Sequence, residues 1–292
     1  MRIGLIDVDG KHFPNLALMK ISAWHKANGD HVEWYEPMFS GHMDKVYMSK
    51  VFTFTPDYEW CIDADDIEKG GTGYKNYDKV LPIEMENIFP DYSIYPQYDF
   101  AIGFLTRGCI RKCPWCVVPN KEGWIRAVNT WQNIKRSDSK KILFMDNNVL
   151  ACDHGRNQIA EMSGRKDIRI DFNQGLDARL IDDDMARLLA GCKWNTFLRI
   201  SCDTTQAFPK VKETIELLGQ YMNRKKIFVY ALIEDVQEAH DRIVMLDELG
   251  VEVFAQPYRD FEGRTVNREA KRLARWCNMK AIFRTVKYED YK

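Results

Sequence analysis

A chain of 292 residues with 45% hydrophobic and 29% charged residues has the composition of an ordinary globular protein with a substantial core, in one large or two modest domains. A formal net charge of -1 and a pI near 6.6 give no global field that draws in nucleic acid or an anionic membrane, so there is no strong nucleic-acid signal. No run approaches the roughly 18 apolar residues of a membrane span, and Met1 to Asp7 reads as a short strand rather than a signal peptide, which excludes a membrane role and points to the cytoplasm. In that reducing compartment the eight cysteines are metal ligands or buried free thiols, not a disulfide framework.

In chain order, Arg2 to Asp7 is an apolar strand and Pro14 to Asn28 a helix ended by Gly29. Val32 to Tyr35 is a second strand, and Lys45 to Phe54 supplies one or two more. This βαβ character predicts a small, incomplete doubly wound α/β unit. From Gly70 to Gln97 the chain is rich in Pro and Tyr and reads as an ordered connector, so the domains are placed at 1–96 and 97–292. Strands are then expected at Asp99 to Thr106, Lys141 to Met145, Asp167 to Phe172, Thr196 to Ser201, Lys226 to Ile233 and Val251 to Gln256. Helices are expected at Trp124 to Ile134, Gly155 to Met162, Asp182 to Ala190, Lys210 to Tyr221, Val236 to Leu249 and Val266 to Trp276. This alternation predicts a parallel sheet, closed or half closed, with ligands at the carboxyl ends of its strands.

Directly after the first of these strands lies Thr106-Arg107-Gly108-Cys109-Ile110-Arg111-Lys112-Cys113-Pro114-Trp115-Cys116, a CxxxCxxC loop. Three thiolates on one short loop can ligate three irons of a cubane and leave the fourth iron open to a small molecule. A structural zinc site asks for four closed ligands, usually as two CxxC pairs. No second pair exists, so Cys152 or His154 would have to serve as the fourth.

The cysteine loop, Trp115 before its last cysteine and the following βα units resemble the radical S-adenosylmethionine (radical SAM) superfamily over roughly residues 97 to 290. The resemblance implies a partial (β/α)6 barrel and a 4Fe-4S cluster on Cys109, Cys113 and Cys116, with the amine and carboxylate of SAM on the open iron. It also implies reductive cleavage of SAM to a 5'-deoxyadenosyl radical that abstracts hydrogen from substrate, and a reductant such as flavodoxin or ferredoxin. Where the family carries a Gly-Gly-Glu-like stretch that binds the SAM amine, this chain reads Met145-Asp146-Asn147-Asn148. Asp146, Asn147 and Asn148 offer acceptors to an ammonium, or form an Asx turn or cap. Further SAM contacts are expected from Arg199 and Ser201, with an internal salt bridge as the other reading. Asn173, Gln174 and Gln256 are candidates at strand ends, and Ile233 against adenine or in the core.

Glu122 is expected to cap a helix, Trp124 to be core, and Arg107 and Arg111 to favour the reduced cluster. Cys202 is the one outlying thiol placed near a strand end. The first segment resembles a shortened cobalamin-binding domain, with Gly70-Gly71 where a backbone approaches the cofactor. It lacks the cobalt-ligating DxHxxG histidine, since Asp7-Val8-Asp9-Gly10 does not supply it, and bound cobalamin is not the favoured reading. The functional readings are thus a radical SAM enzyme, a cobalamin-dependent radical SAM methyltransferase, or a non-catalytic zinc or iron-sulfur binding module. The substrate is left open among RNA, peptide, nucleotide and small metabolite.

Overall fold

The computed structural model describes residues 1–260 and 266–292 and is α/β, built on parallel sheets. The chain divides into two compact units, Met1–Asp99 and one that begins at Phe100 and runs to the C-terminus. Among the described residues no helix is long and apolar enough to cross a membrane.

In the first unit β1 (Arg2–Asp7) runs parallel between β2 (His31–Trp34) and β3 (Met43–Ser49), and β4 (Ala64–Gly70) adds to β3, giving the order β2-β1-β3-β4. Helix α1 (Leu16–Ala27) starts at Asn15, whose side chain accepts from the Leu18 N–H at 3.3 Å. It lays Leu18 and Ile21 on Ile3 and Leu5, while Ile6, Val46 and Met48 form a second cluster. A short α2 (Ile83–Glu86) follows. Two expectations are corrected here. The strand placed over Lys45 to Phe54 ends at Ser49, because the Asp9 carboxylate accepts from the Val51 N–H (2.5 Å) and the Thr55 hydroxyl (2.6 Å) and turns the chain into a loop. Strand β4 was not expected, since Ala-Asp-Asp-Ile-Glu-Lys-Gly lacks an apolar alternation. As a sheet edge it buries no side chain, and its Asp66 and Glu68 carboxylates pair with Lys45 of β3 (3.0 and 2.7 Å).

Burial pushes the Asp7 carboxyl up to about 6, against the Tyr95 hydroxyl that donates to it at 2.7 Å. Folding therefore favours the protonated acid, so its stabilisation is complete below pH about 4 and is lost as pH rises through about 6. Asp7→Asn is expected to raise stability at pH 8, by about 1 kcal/mol once partial exposure is discounted, and to leave it unchanged at pH 4. Equal effects at both pH values in thermal melts would contradict this.

The second unit begins with β5 (Phe100–Gly103). An antiparallel pair follows, β6 (Thr106–Arg107) with β7 (Arg126–Ala127), enclosing the cysteine loop and a single turn, α3 (Val118–Lys121). Then come α4 (Trp131–Ile134), β8 (Lys141–Phe144), α5 (Asp153–Met162), β9 (Arg169–Phe172), α6 (Asp183–Gly191), β10 (Leu198–Ser201) and α7 (Phe208–Leu218). The chain continues through β11 (Ile227–Ile233), α8 (Val236–Glu248), β12 (Glu252–Pro257), α9 (Arg268–Asn278) and α10 (Lys280–Phe283). The sheets are β5-β8-β9 and β10-β11-β12, all parallel, and they adjoin where Ile170 bridges Trp194 and Leu176 bridges Ile200.

The period-2 alternation has a clear physical result. Ile142, Ile170, Ile200, Val229 and Ala255 are buried against the helices in one continuous core, whereas Asp171, Arg199, Tyr230 and Gln256 lie on the opposite, less covered face. The helix expected over Trp124 to Ile134 is replaced by a hairpin strand and one turn, and Trp124 is 68% exposed rather than core. The cause is local: Gly123 turns at φ +70°, and residues 126–127 pair back onto β6 before Thr130 can start α4.

Candidate metal centre

Glycine 108 shapes the start of the cysteine loop. It has φ +88°, and a Cβ there would lie 2.4 Å from the Trp124 carbonyl oxygen and 2.7 Å from that of Gly123. Only glycine allows this approach. The close approach lets Cys109 N–H donate to the Gly123 carbonyl (3.1 Å), while the Gly108 N–H donates to Asn147 Oδ1 (3.2 Å). Cys109, Cys113 and Cys116 are all free and half-buried. They are close enough for the charge of each to act on the others, and burial pushes the Cys113 and Cys116 thiols up.

The loop after β8 divides its labour. Asp146 is buried, and its carboxylate accepts from the Leu105 N–H (3.1 Å), the Thr106 N–H (2.6 Å) and the Thr106 hydroxyl (2.7 Å), which pins the backbone that leads into the cysteines. Burial pushes it up to about 6. Its acceptors are consumed in structure, and so is Asn147 Oδ1. Asn148 differs. Its Nδ2 donates to Cys109 Sγ (3.4 Å) and to Asp177 Oδ2 (3.3 Å), while its Oδ1 is buried with no hydrogen-bond partner among the described residues.

Asp177, three residues past the Gln174 strand end, is a hub that sequence reasoning missed. It accepts from Arg111 Nε (3.0 Å) and Arg179 Nε (2.6 Å). Although burial opposes ionisation, the Arg179 and Arg111 guanidiniums hold it below the usual carboxylate range. The available signal was its Asx position ahead of Arg179, but 61 residues separate it from Cys116. Asp203, which period two places on the same face as Arg199 and Ser201, also faces the loop. Its charge reaches Cys113 and Cys116, and burial pushes it up against the Arg242 charge and the Ser201 hydroxyl bond.

The remaining candidates are placed as follows. Arg199 makes a two-pronged ion pair with Asp171 (2.7 and 2.9 Å), which is the internal salt bridge. Tyr230 hydroxyl donates to the Asn173 carbonyl (3.0 Å) and accepts from Arg199 (3.4 Å), so Asn173 and Arg199 are tied to each other. Gln174 and Gln256 are exposed. Ile233 is 1% exposed on the helix-covered side, so it is core and offers nothing to adenine; the same burial removes Cys202, whose thiol is pushed up to about 12. Glu122 ends α3 rather than capping a following helix, and its carboxylate takes Arg107 (3.2 Å). Arg107 and Arg111 thus face the loop with their charges already paired.

Three thiols stand on one glycine-shaped loop, and one of them accepts from a buried amide. Among the described residues no three His, Cys, Asp or Glu side chains are gathered tightly enough for one metal ion, a convergence that a cubane does not require because each thiolate meets a different iron. His154, a candidate fourth zinc ligand, is engaged with the Asn129 carbonyl (2.7 Å). In the first unit the glycine pair and the strand-end crevice are occupied by the chain's own groups. A Cβ on Gly71 would lie 2.3 Å from the Lys50 carbonyl oxygen, so its bare face accommodates the chain's own backbone. The crevice between the carboxyl ends of β1 and β3, where open α/β sheets take cofactors, is spanned by the Asp9 loop bonds and by Asn15 Nδ2 to Ser49 Oγ (2.8 Å).

No protein-family model matches the chain, and no curated protein matches it. The functional reading therefore rests on these residues.

Proposed function

We propose that the protein is a radical SAM enzyme, whose two adjoining parallel sheets form a partial (β/α)6 barrel and whose Cys109, Cys113 and Cys116 hold a 4Fe-4S cluster. The observation that carries this reading is Asn148. It donates to one of the three thiols and leaves beside it a buried acceptor, Oδ1, without a donor. A buried carbonyl left this way costs about 1–3 kcal/mol, and an ammonium such as that of SAM satisfies it. When bound, the cluster supplies the electron that cleaves SAM to methionine and a 5'-deoxyadenosyl radical, which takes hydrogen from the substrate.

The chain's own residues orient and enclose. Asp146 fixes the entry to the cysteine loop, Gly108 brings that loop onto Gly123 and Trp124, and Asp177 clamps Arg111 from the loop to Asn148. The less covered sheet face, bearing Tyr230, Ser201 and Gln256, is where substrate is expected at the strand ends. A small one-electron donor of the flavodoxin or ferredoxin type is the natural partner.

The test is anaerobic reconstitution with iron and sulfide, then addition of SAM and a strong reductant. The expected result is a brown protein that yields 5'-deoxyadenosine and methionine. A colourless, zinc-loaded protein that leaves SAM intact would sink the reading in favour of a metal-binding module.

A further inference from the structure

Cys109 Sγ receives two N–H donors, the Arg111 backbone at 3.3 Å and Asn148 Nδ2 at 3.4 Å, and only the second is a side chain that substitution can remove. The same Nδ2 donates to Asp177 Oδ2 (3.3 Å), so both of its hydrogens are committed and the amide plane is fixed. Asp177 is itself held by Arg111 and Arg179, and its side chain is only 7% exposed. Hydrogen bonds to cluster sulfurs stabilise the electron-rich, reduced state and so raise the reduction potential.

We infer that Asn148 tunes the reducibility of the cluster through its bond to Cys109, and that Asp177 is the positioning residue that aims it. This rests on the reading that the three cysteines hold an iron-sulfur cluster. It adds a role for two side chains that does not depend on SAM. The arrangement has a physical logic. An amide on a free rotor would spend its donor on water or backbone, whereas an amide with one hydrogen locked on a buried carboxylate has only one direction left for the other.

The experiment is a redox titration of the reconstituted full-length protein without SAM, followed by electron paramagnetic resonance. Asn148→Leu is expected to move the midpoint to a more negative potential at unchanged iron content. Asn148→Asp, which keeps the shape and loses the donors, moves it the same way and serves if the leucine variant loses its cluster. In an Asp177→Asn background the additional shift from Asn148→Leu shrinks, because the amide is no longer aimed. An identical midpoint in wild type and in the Asn148→Leu variant overturns the tuning role. An equal shift in both backgrounds overturns the positioning role. A wild type that shows no iron-sulfur signal overturns the functional reading itself, and this inference with it.

Discussion

With the proposed cluster on the three cysteines, Gly108→Ala is expected to lose most of it while the rest of the molecule stays folded. The new methyl would meet the Trp124 and Gly123 carbonyl oxygens at 2.4 and 2.7 Å, and both are backbone atoms that cannot rotate away. The φ of +88° adds the ordinary cost of about 1 kcal/mol for a side chain in the left-handed region. Relief requires the cysteine loop to move away from the hairpin, which breaks the Cys109 to Gly123 bond and misplaces the first ligand. Gly123→Ala is the informative comparison. It shares the left-handed backbone at φ +70°, but its Cβ would have no atom within 4 Å, so it should keep its cluster at a cost of about 1 kcal/mol. Iron and sulfide per chain after reconstitution decide the matter. Equal iron in the two variants would mean that the loop does not depend on the close approach.

Arg242→Met is expected to lower the stability of the second unit substantially. Arg242 is fully buried on α8, where its guanidinium donates to the carbonyls of Cys202 and Leu232 (2.8 Å for the latter) and to Glu238 (2.8 Å). It thereby ties the exits of β10 and β11 to one helix. Methionine fills the space but leaves the Cys202 and Leu232 carbonyls without their guanidinium donor, while Glu238 keeps its bonds from Thr205, at a cost of about 2–4 kcal/mol and a fall in Tm of roughly 4–16 °C for a unit of this size. Arg242→Lys is not expected to rescue it, because an ammonium cannot reproduce the planar fork. A shift of under about 2 °C for Arg242→Met would show the carbonyls to be satisfied some other way.

Arg242 also illustrates what sequence reading can and cannot reach. The helix containing it was legible from apolar spacing, and so were β1, α1 and the strand-helix alternation of the second unit, since burial on one face imposes its period directly on the residue order. A charged residue inside an apolar stripe with Ala239, Ile243 and Leu246 was visible too, but its partners are carbonyls on two other strands, which no spacing encodes. The candidate site shows the same division. The cysteine loop is local in sequence and can be read from it directly. Asp146, Asn147 and Asn148 were found as a group, yet three neighbouring polar residues on one turn proved to have three jobs, because each faces a different part of the fold. Asp177 was missed because only packing brings it to Asn148. Ile233 kept two readings in the sequence because period 2 gives two faces without saying which the helices cover, and it lies in the core.

The scattered thiols differ in chemistry from those of the cysteine loop. Cys192, Cys202 and Cys277 are buried, and burial pushes the first two up to about 12 and the third to about 11. The thiolate is the metal ligand and the nucleophile, so these three stay protonated at neutral pH and neither capture iron nor exchange with oxidants. Cys61 is exposed but stands in the other unit, away from any partner cysteine in sequence. Of the five scattered thiols only Cys61 and the half-buried Cys152 lie outside the core, so burial is what sets the cysteine loop apart from most of the chain's other sulfur.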